Sequence, residues 1–426
     1  MRLPLITTVC IFLSQCAVGT LGIDEPSSTV PHIPDMIPDM LKRNIDWNMH
    51  PCENFYQHLM MKQRLEEQFE DAKIDAWTSH FRKIEGLRLL GDLRVYLSKE
   101  LTGEEQKNLS AIKHPISAVV DAVLDQVQKS GSLMSKENLR ALEEKIQTIG
   151  HVNTLSNLDN WNPLEDAYKK ISGIYDTLAA HNMSRDDALE VIIDTNSYLS
   201  DISPEWAGLL EGGLHFNSEY LEQSNMYAHF AATILVTLRA DLAVKFGATY
   251  SVAGHEIYHS VFAAEEEMSD DPKIAKNRDC YIDHIKRVEA NYLPDEHSNV
   301  PLSGTQTWGE DLPDFEALQT SFKLLQQHAQ PAKLVPYKQL PRLTREMLFF
   351  YSWAAVWCIP GRRVGDPDDS HSGNFLRVNA PLSLMSSFHK TFQCPKDSRM
   401  YKFYEQAPAG KCNQIGEEAR RIKADN

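Results

Sequence analysis

The 426-residue sequence predicts a predominantly α-helical fold with a small sheet, and three observations point to the helices. Apolar residues recur at helical spacing through the first half of the chain. His255-Glu256-Ile257-Tyr258-His259 sets two histidines four residues apart, one turn of helix. A third helical pattern, Phe315, Leu318, Phe322 and Leu325, follows Trp308-Gly309-Glu310-Asp311-Leu312-Pro313-Asp314.

Taken in order, Arg2 and the apolar run from Leu3 to Val18, ending in the small residues Ala17 and Gly19, read as a removable secretory signal over residues 1–22. The run is short for a comfortable membrane span, and an uncleaved N-terminal anchor stays open as the alternative. Residues 23–50, with Pro26, Pro31, Pro34 and Pro38, read as an extended surface lead-in. Helices follow within residues 51–190. One stripe is Val120, Leu124 and Val127. A second, Leu139, Leu142, Ile146 and Ile149, is introduced by Ser135 and closed by Gly150. A third is Leu164, Tyr168, Ile171, Tyr175 and Leu178, and a fourth starts at Ser184. All read as core packing. Asn108-Leu109-Ser110 and Asn182-Met183-Ser184 are glycosylation sequons, which fit an extracellular, secreted chain.

The net charge of −16 and the lack of a basic patch exclude nucleic acid and anionic membranes as partners. Of seven cysteines, Cys10 and Cys16 leave with the signal, so five remain.

The chemistry concentrates after residue 190. His255 and His259 share one helical face and suit convergence on a tetrahedral Zn²⁺. Glu256 lies within reach of a water at that site and suits a general base. Glu310 and Asp314 share a face of the next helix. One carboxylate can take the metal while the other holds the free nitrogen of a ligand histidine. Pro313 is accommodated if it lies in the first turn, where amide hydrogens have no intrahelical partner.

From here the chain resembles the neprilysin family of zinc metallopeptidases. Pro51-Cys52-Glu53-Asn54-Phe55-Tyr56 resembles the family's P-C-x-x-F-Y, and Gly254 to His259 its G-H-E-I-x-H. Gly309 to Asp314 is similar to G-E-N-x-A-D, and Leu348-Phe349-Phe350 with Val356-Trp357-Cys358 to L-F-F…V-W-C. His371 to Asn379 resembles H-S-P-x-x-F-R-V-N. The resemblance implies an α+β zincin, mainly α: a thermolysin-like catalytic domain over residues 191–426, with a small β-sheet beside the zinc helix and a reduced helical lid. It implies zinc ligands His255, His259 and Glu310, the base Glu256, and Asp314 orienting His255. His371 would donate to the oxyanion, with Asp369 holding its ring, and Arg377 would grip a substrate carbonyl. Asn196 is a loose counterpart of the family's substrate-binding asparagine, or else a turn. The implied disulfides are Cys52–Cys394 and Cys280–Cys412, which leaves Cys358 as a buried thiol.

The departures are a much shorter stretch between Cys52 and the zinc helix, and Ser260-Val261-Phe262 where the family has G-F-D. No tryptophan follows Cys412. Two readings follow. One is a secreted zinc endopeptidase that cuts small peptides on the amino side of apolar residues. The other is a secreted peptide-binding relative with little or no turnover.

Overall fold

The N-terminal signature is fastened to the far end of the sequence. The computed structural model describes residues 41, 44–60, 116–129, 136–153, 165–169, 218–221, 226–229, 240–267, 272–292, 307–329, 333–335, 340–357 and 370–407. Cys52 and Cys394 form a disulfide, with Cα atoms 5.5 Å apart across 342 residues of sequence. Helix α1 (Phe55–Met60) starts beside Asn54, whose Oδ1 accepts from the Gln57 amide at 3.0 Å. Asn379 bridges the same turn. Its Oδ1 accepts from the Tyr56 amide at 3.0 Å, and its Nδ2 donates to Asn54 Oδ1 at 2.8 Å. Phe55, wholly buried, stacks on Tyr351 at 5.1 Å and meets Phe388 edge-on at 5.1 Å. Two of the sequence motifs, joined by Asn54 and Asn379 across 325 residues, are therefore two halves of one packing unit.

The end of the expected lead-in belongs to that unit as well. Leu41 and Ile45, one helical turn apart, are fully buried, and the Ile45 amide donates to the Leu41 carbonyl at 3.0 Å. An extended surface course is therefore wrong for this end of residues 23–50. The apolar i, i+4 pair pulls it into the core. The signal segment 1–22, Asn108, Asn182, Asn196 and the boundary at 190/191 lie outside the described residues.

Helices α2 (Ile116–Lys129) and α3 (Lys136–Gln147) pack on each other and bury Val119, Val123, Val127, Leu142 and Ile146. The second stripe ends earlier than expected. Gly150 does not close α3; it opens strand β1 (Gly150–Asn153). β2 (Ser218–Leu221) and β3 (Met226–His229) complete a sheet of order β1-β3-β2. β3 runs parallel to β1, from Gly150↔Met226 to Asn153↔His229, and antiparallel to β2. β2 and β3 lie against α4 (Ser251–Glu267), the helix that carries the two histidines, as do α2 and α3. This mainly α fold with a small sheet beside that helix is the one expected.

Into α4 the chain runs through a short helical turn, Leu242–Val244, and a π-helical turn, Lys245–Tyr250. Asp241 anchors the entry. Its side chain accepts from the Ala243 amide at 2.9 Å and holds Arg345, with Arg345 Nη2 2.8 Å from Asp241 Oδ2. Gly247 presses against the Phe349 carbonyl of α7 (Arg345–Val356), where any Cβ would collide with backbone. Only glycine fits there. The remaining helices are α5 (Pro272–Tyr292), α6 (Trp308–His328), α8 (Asn374–Leu384), α9 (Ser386–Thr391) and α10 (Arg399–Gln406). Among the described residues no helix is long and apolar enough to cross a membrane.

His58 lies under the signature. Its Nδ1 donates to the Met49 carbonyl at 2.8 Å, and its Nε2 accepts from Tyr351 Oη at 2.7 Å. Burial pushes its pKa down to about 4, against the ordinary 6.5. As pH falls, the unfolded chain takes up the proton first. The stability that His58 contributes is therefore complete above pH 6.5 and is lost on the way down to pH 4. The full effect is about 3 kcal/mol. Thermal melts across that window should show the decline, and His58→Gln should flatten it. An equally steep decline in the variant would point to other groups.

Candidate metal centre

The histidine pair owes its position to close helix packing. A Cβ on Gly254 would sit 3.1 Å from Ala317 Cβ, so α4 and α6 approach unusually near each other just before His255. That approach brings the first turn of α6 alongside the histidines. His255 and His259 stand with ring centroids 4.6 Å apart and Nε2 atoms 3.0 Å apart. Glu310 Oε2 lies 3.1 Å from His255 Nε2 and 3.4 Å from His259 Nε2. Two imidazoles and a carboxylate form the usual donor set of a hydrolytic zinc site. Ligands of one tetrahedral zinc stand about 3.3–3.4 Å apart, so this triangle fits the ion. The Glu256 carboxylate completes a group whose ligand atoms, with both histidines, lie within 4.8 Å of one another. Glu256 is almost fully buried.

Behind the triangle sits Asp314, fully buried on α6. Its Oδ1 lies 2.8 Å from His255 Nδ1, which fixes the ring so that Nε2 faces Glu310. Arg377 of α8 closes on the same carboxylate from the other side, with Nε to Oδ2 at 2.6 Å and Nη2 to Oδ1 at 2.9 Å. The guanidinium lies over the Trp357 ring, 3.6 Å from its centroid. Arg377 is only 4% exposed. Arg377 thus stands as a buried pair with Asp314 beside the triangle. The two-point contact is the strong, planar geometry that suits an arginine to a buried carboxylate.

His371 approaches from the loop before α8. Its Nε2 is 3.1 Å from Glu310 Oε2, and its Nδ1 is 3.3 Å from Ser370 Oγ. Asp369, expected to hold this ring, lies outside the described residues, as do Cys358 and Cys412. Cys280 is disulfide-bonded.

Charge is balanced by proximity rather than by solvent. Burial alone would lower the pKa of His255, but the charge and hydrogen bond of Asp314, with help from Glu310 and Glu256, raise it to about 10. Burial would raise Glu310, yet hydrogen bonds from His255, His259 and His371 hold it well below the usual carboxylate range. Burial pushes Asp311 up to about 7, with hydrogen bonds from Thr307 and Ser372 opposing and the charge of Asp314 adding to it. A site that draws a proton this strongly onto His255 also suits a divalent cation in its place.

Sequence reasoning brought His255, His259, Glu256, Glu310, Asp314 and His371 to this site, and the structure gathers all six. It missed Trp357, whose place beside Val356 signalled only core. It also missed the hydroxyls of Thr307 and Ser372. Pro313 is the sixth residue of α6, one turn further in than expected, so the Gly309 carbonyl loses its intrahelical donor.

Arg377→Ala would leave Asp314 buried beside Asp311 without its cation. Such a change costs about 3–5 kcal/mol, and Arg377→Lys should recover little, since an ammonium cannot reproduce the two-point contact. Thermal denaturation of the two variants checks this. A midpoint within a degree of the parent for either would argue against it.

Residues 217–407 match peptidase family M13. Neprilysin-1 of Trittame loki is 22% identical over 408 residues, covering 85% of this chain and 53% of that protein. Neprilysin-3 of Drosophila melanogaster is 29% identical over 199 residues, 43% of this chain and 25% of that protein. Human endothelin-converting enzyme 1 is 29% identical over 180 residues, 38% of this chain and 22% of that protein. The chain thus spans about half, or less, of the length of these curated relatives. Among solved structures, the Haemonchus galactose containing glycoprotein complex superposes with a TM-score of 0.50 at 20% identity. That match covers 80% of this chain and 55% of the other, and it speaks to the fold alone. Residues 217–407, the stretch similar to peptidase family M13, carry every side chain of the centre just described.

Proposed function

We propose that this chain is a secreted zinc-dependent endopeptidase that hydrolyses small peptides. The observation that supports this most is the convergence of His255 Nε2, His259 Nε2 and Glu310 Oε2, with the Glu256 carboxylate beside them. Those three residues would hold the zinc. When bound, zinc would supply Lewis-acid polarisation of the scissile carbonyl and acidify an attacking water.

The protein's own groups do the rest. Glu256 takes the proton of the attacking water on a carboxylate oxygen and passes it to the departing amine. His371 donates from Nε2 to the oxygen on which negative charge develops. Asp314 keeps His255 in one tautomer and one orientation, and Arg377 holds Asp314 in turn. Cleavage on the amino side of apolar residues is carried over from the family resemblance. Secretion rests on the segment Leu3–Val18 and on the sequons at Asn108 and Asn182.

A second reading, a peptide binder with slow or no turnover, is favoured by Phe262. It is buried and stacks on Tyr258 at 6.0 Å, in the place of an acidic residue of the family pattern.

Elemental analysis of the purified protein should find one zinc per chain, lost in His259→Ala. Full occupancy in that variant would overturn the ligand set. Glu256→Gln should keep the zinc and lower peptide turnover on the order of 10³-fold or more, because an amide accepts no proton. His371→Ala should lower kcat by about 10²–10³-fold with zinc retained. Zinc-replete protein that cleaves no peptide from a graded length series would decide for the second reading.

A further inference from the structure

Two hydroxyls and a carboxylate join the metal-facing residues from behind. Asp311 follows Glu310 in the chain, and Ser372 follows His371. Asp311 Oδ2 accepts from Ser372 Oγ at 2.9 Å and from Thr307 Oγ1 at 2.6 Å, while the two hydroxyl oxygens lie 2.9 Å apart. All three residues are buried: Asp311 is 3% exposed, Thr307 5% and Ser372 1%.

We propose that Thr307, Asp311 and Ser372 are positioning residues. They clamp the loop that carries His371 onto the first turn of α6 and so set the distance between His371 and Glu310. The inference rests on the peptidase reading above for its consequence in catalysis, though not for its geometry.

Three features support it. First, His371 lies three residues before the start of α8, a third of its side chain faces solvent, and its polar contacts include Ser370 and Glu310. Anchoring the adjacent residue restrains such a partly exposed side chain, and Ser372 is that neighbour, bonded to Asp311. Second, Thr307 stands at the N-cap of α6, where a threonine hydroxyl ordinarily bonds the open amides of the first turn. Here it makes no such bond. Its carbonyl receives the Glu310 and Asp311 amides, both at 3.0 Å, and its hydroxyl turns to Asp311 instead. Third, a carboxylate buried this deeply needs donors, and the two hydroxyls supply them from two different segments. Removing either loosens the same joint.

The test uses the zinc-loaded full chain and two readouts. One is the rate at which diethyl pyrocarbonate modifies His371, followed by mass spectrometry of its peptide. The other is kcat and KM on one peptide substrate. Ser372→Ala and Thr307→Val should each speed modification of His371 several-fold and leave zinc content unchanged. They should lower kcat about tenfold with little change in KM, the size expected for a donor displaced rather than deleted. Asp311→Asn, whose amide oxygen still accepts both hydroxyls, should recover most of what Asp311→Ala loses. In a His371→Ala background, Ser372→Ala should lower kcat no further.

Unchanged modification of His371 in both hydroxyl variants overturns the proposal. So does a kcat loss from Ser372→Ala that persists in full without His371. A parent protein with no turnover would sink the peptidase reading alone, since the modification rates would still decide the clamp.

Discussion

Everything at the centre depends on the shared carboxylate of Asp314. One oxygen meets His255 Nδ1, and Arg377 takes up both oxygens with two of its nitrogens. Three helices far apart in sequence, α4, α6 and α8, are thereby joined through a single buried group. Each partner needs the others. The histidine orientation needs the carboxylate, the carboxylate needs a cation to be tolerable inside, and the cation is seated by the face of Trp357. The arrangement is expensive in desolvation and is therefore specific. A small rotation of any of the three helices would strand a charge.

The second organising contact closes the chain on itself. The disulfide at Cys52, the paired amides of Asn54 and Asn379, the stacked rings of Phe55 and Tyr351, and Phe388 edge-on to Phe55 form a layer beside α8. Arg377 and Asn379 stand two residues apart on that helix. Asn379 faces the N-terminal signature while Arg377 faces the metal side. One helix thus conveys the order of the aromatic layer to the site, with no domain between them.

What was legible in the sequence follows the range of the interactions. His255, Glu256 and His259 could be read directly, because an i, i+4 pair on a helix is a local fact. Glu310 and Asp314 were legible for the same reason, as two carboxylates one turn apart. The pairing of Arg377 with Asp314 was not legible, because the two lie 63 residues apart and nothing local distinguishes an arginine that reaches solvent from one that turns inward. Thr307 and Ser372, 65 residues apart, were invisible on the same ground. Gly150 was read as a helix stop because glycine serves helix ends and strand starts alike. Leu41 and Ile45 were hidden by the prolines before them, which argued for surface while an apolar pair argued for core.

The π-helical turn at Lys245–Tyr250 bears on how this chain compares with others. Such a turn carries one residue more than an α-helical turn over nearly the same rise. Each residue of an α-helix advances the face by about 100°, so the segment before the turn is out of phase with α4 by that amount. With Gly247 seated against Phe349, the extra residue cannot slide along the helix to be absorbed elsewhere. A homologue built with a plain α-helix at this point would keep its histidines in place only by shortening the chain by one residue. The mark to look for in any alignment is therefore a single-residue gap within a few positions upstream of the paired histidines, flanked by stretches that match without interruption.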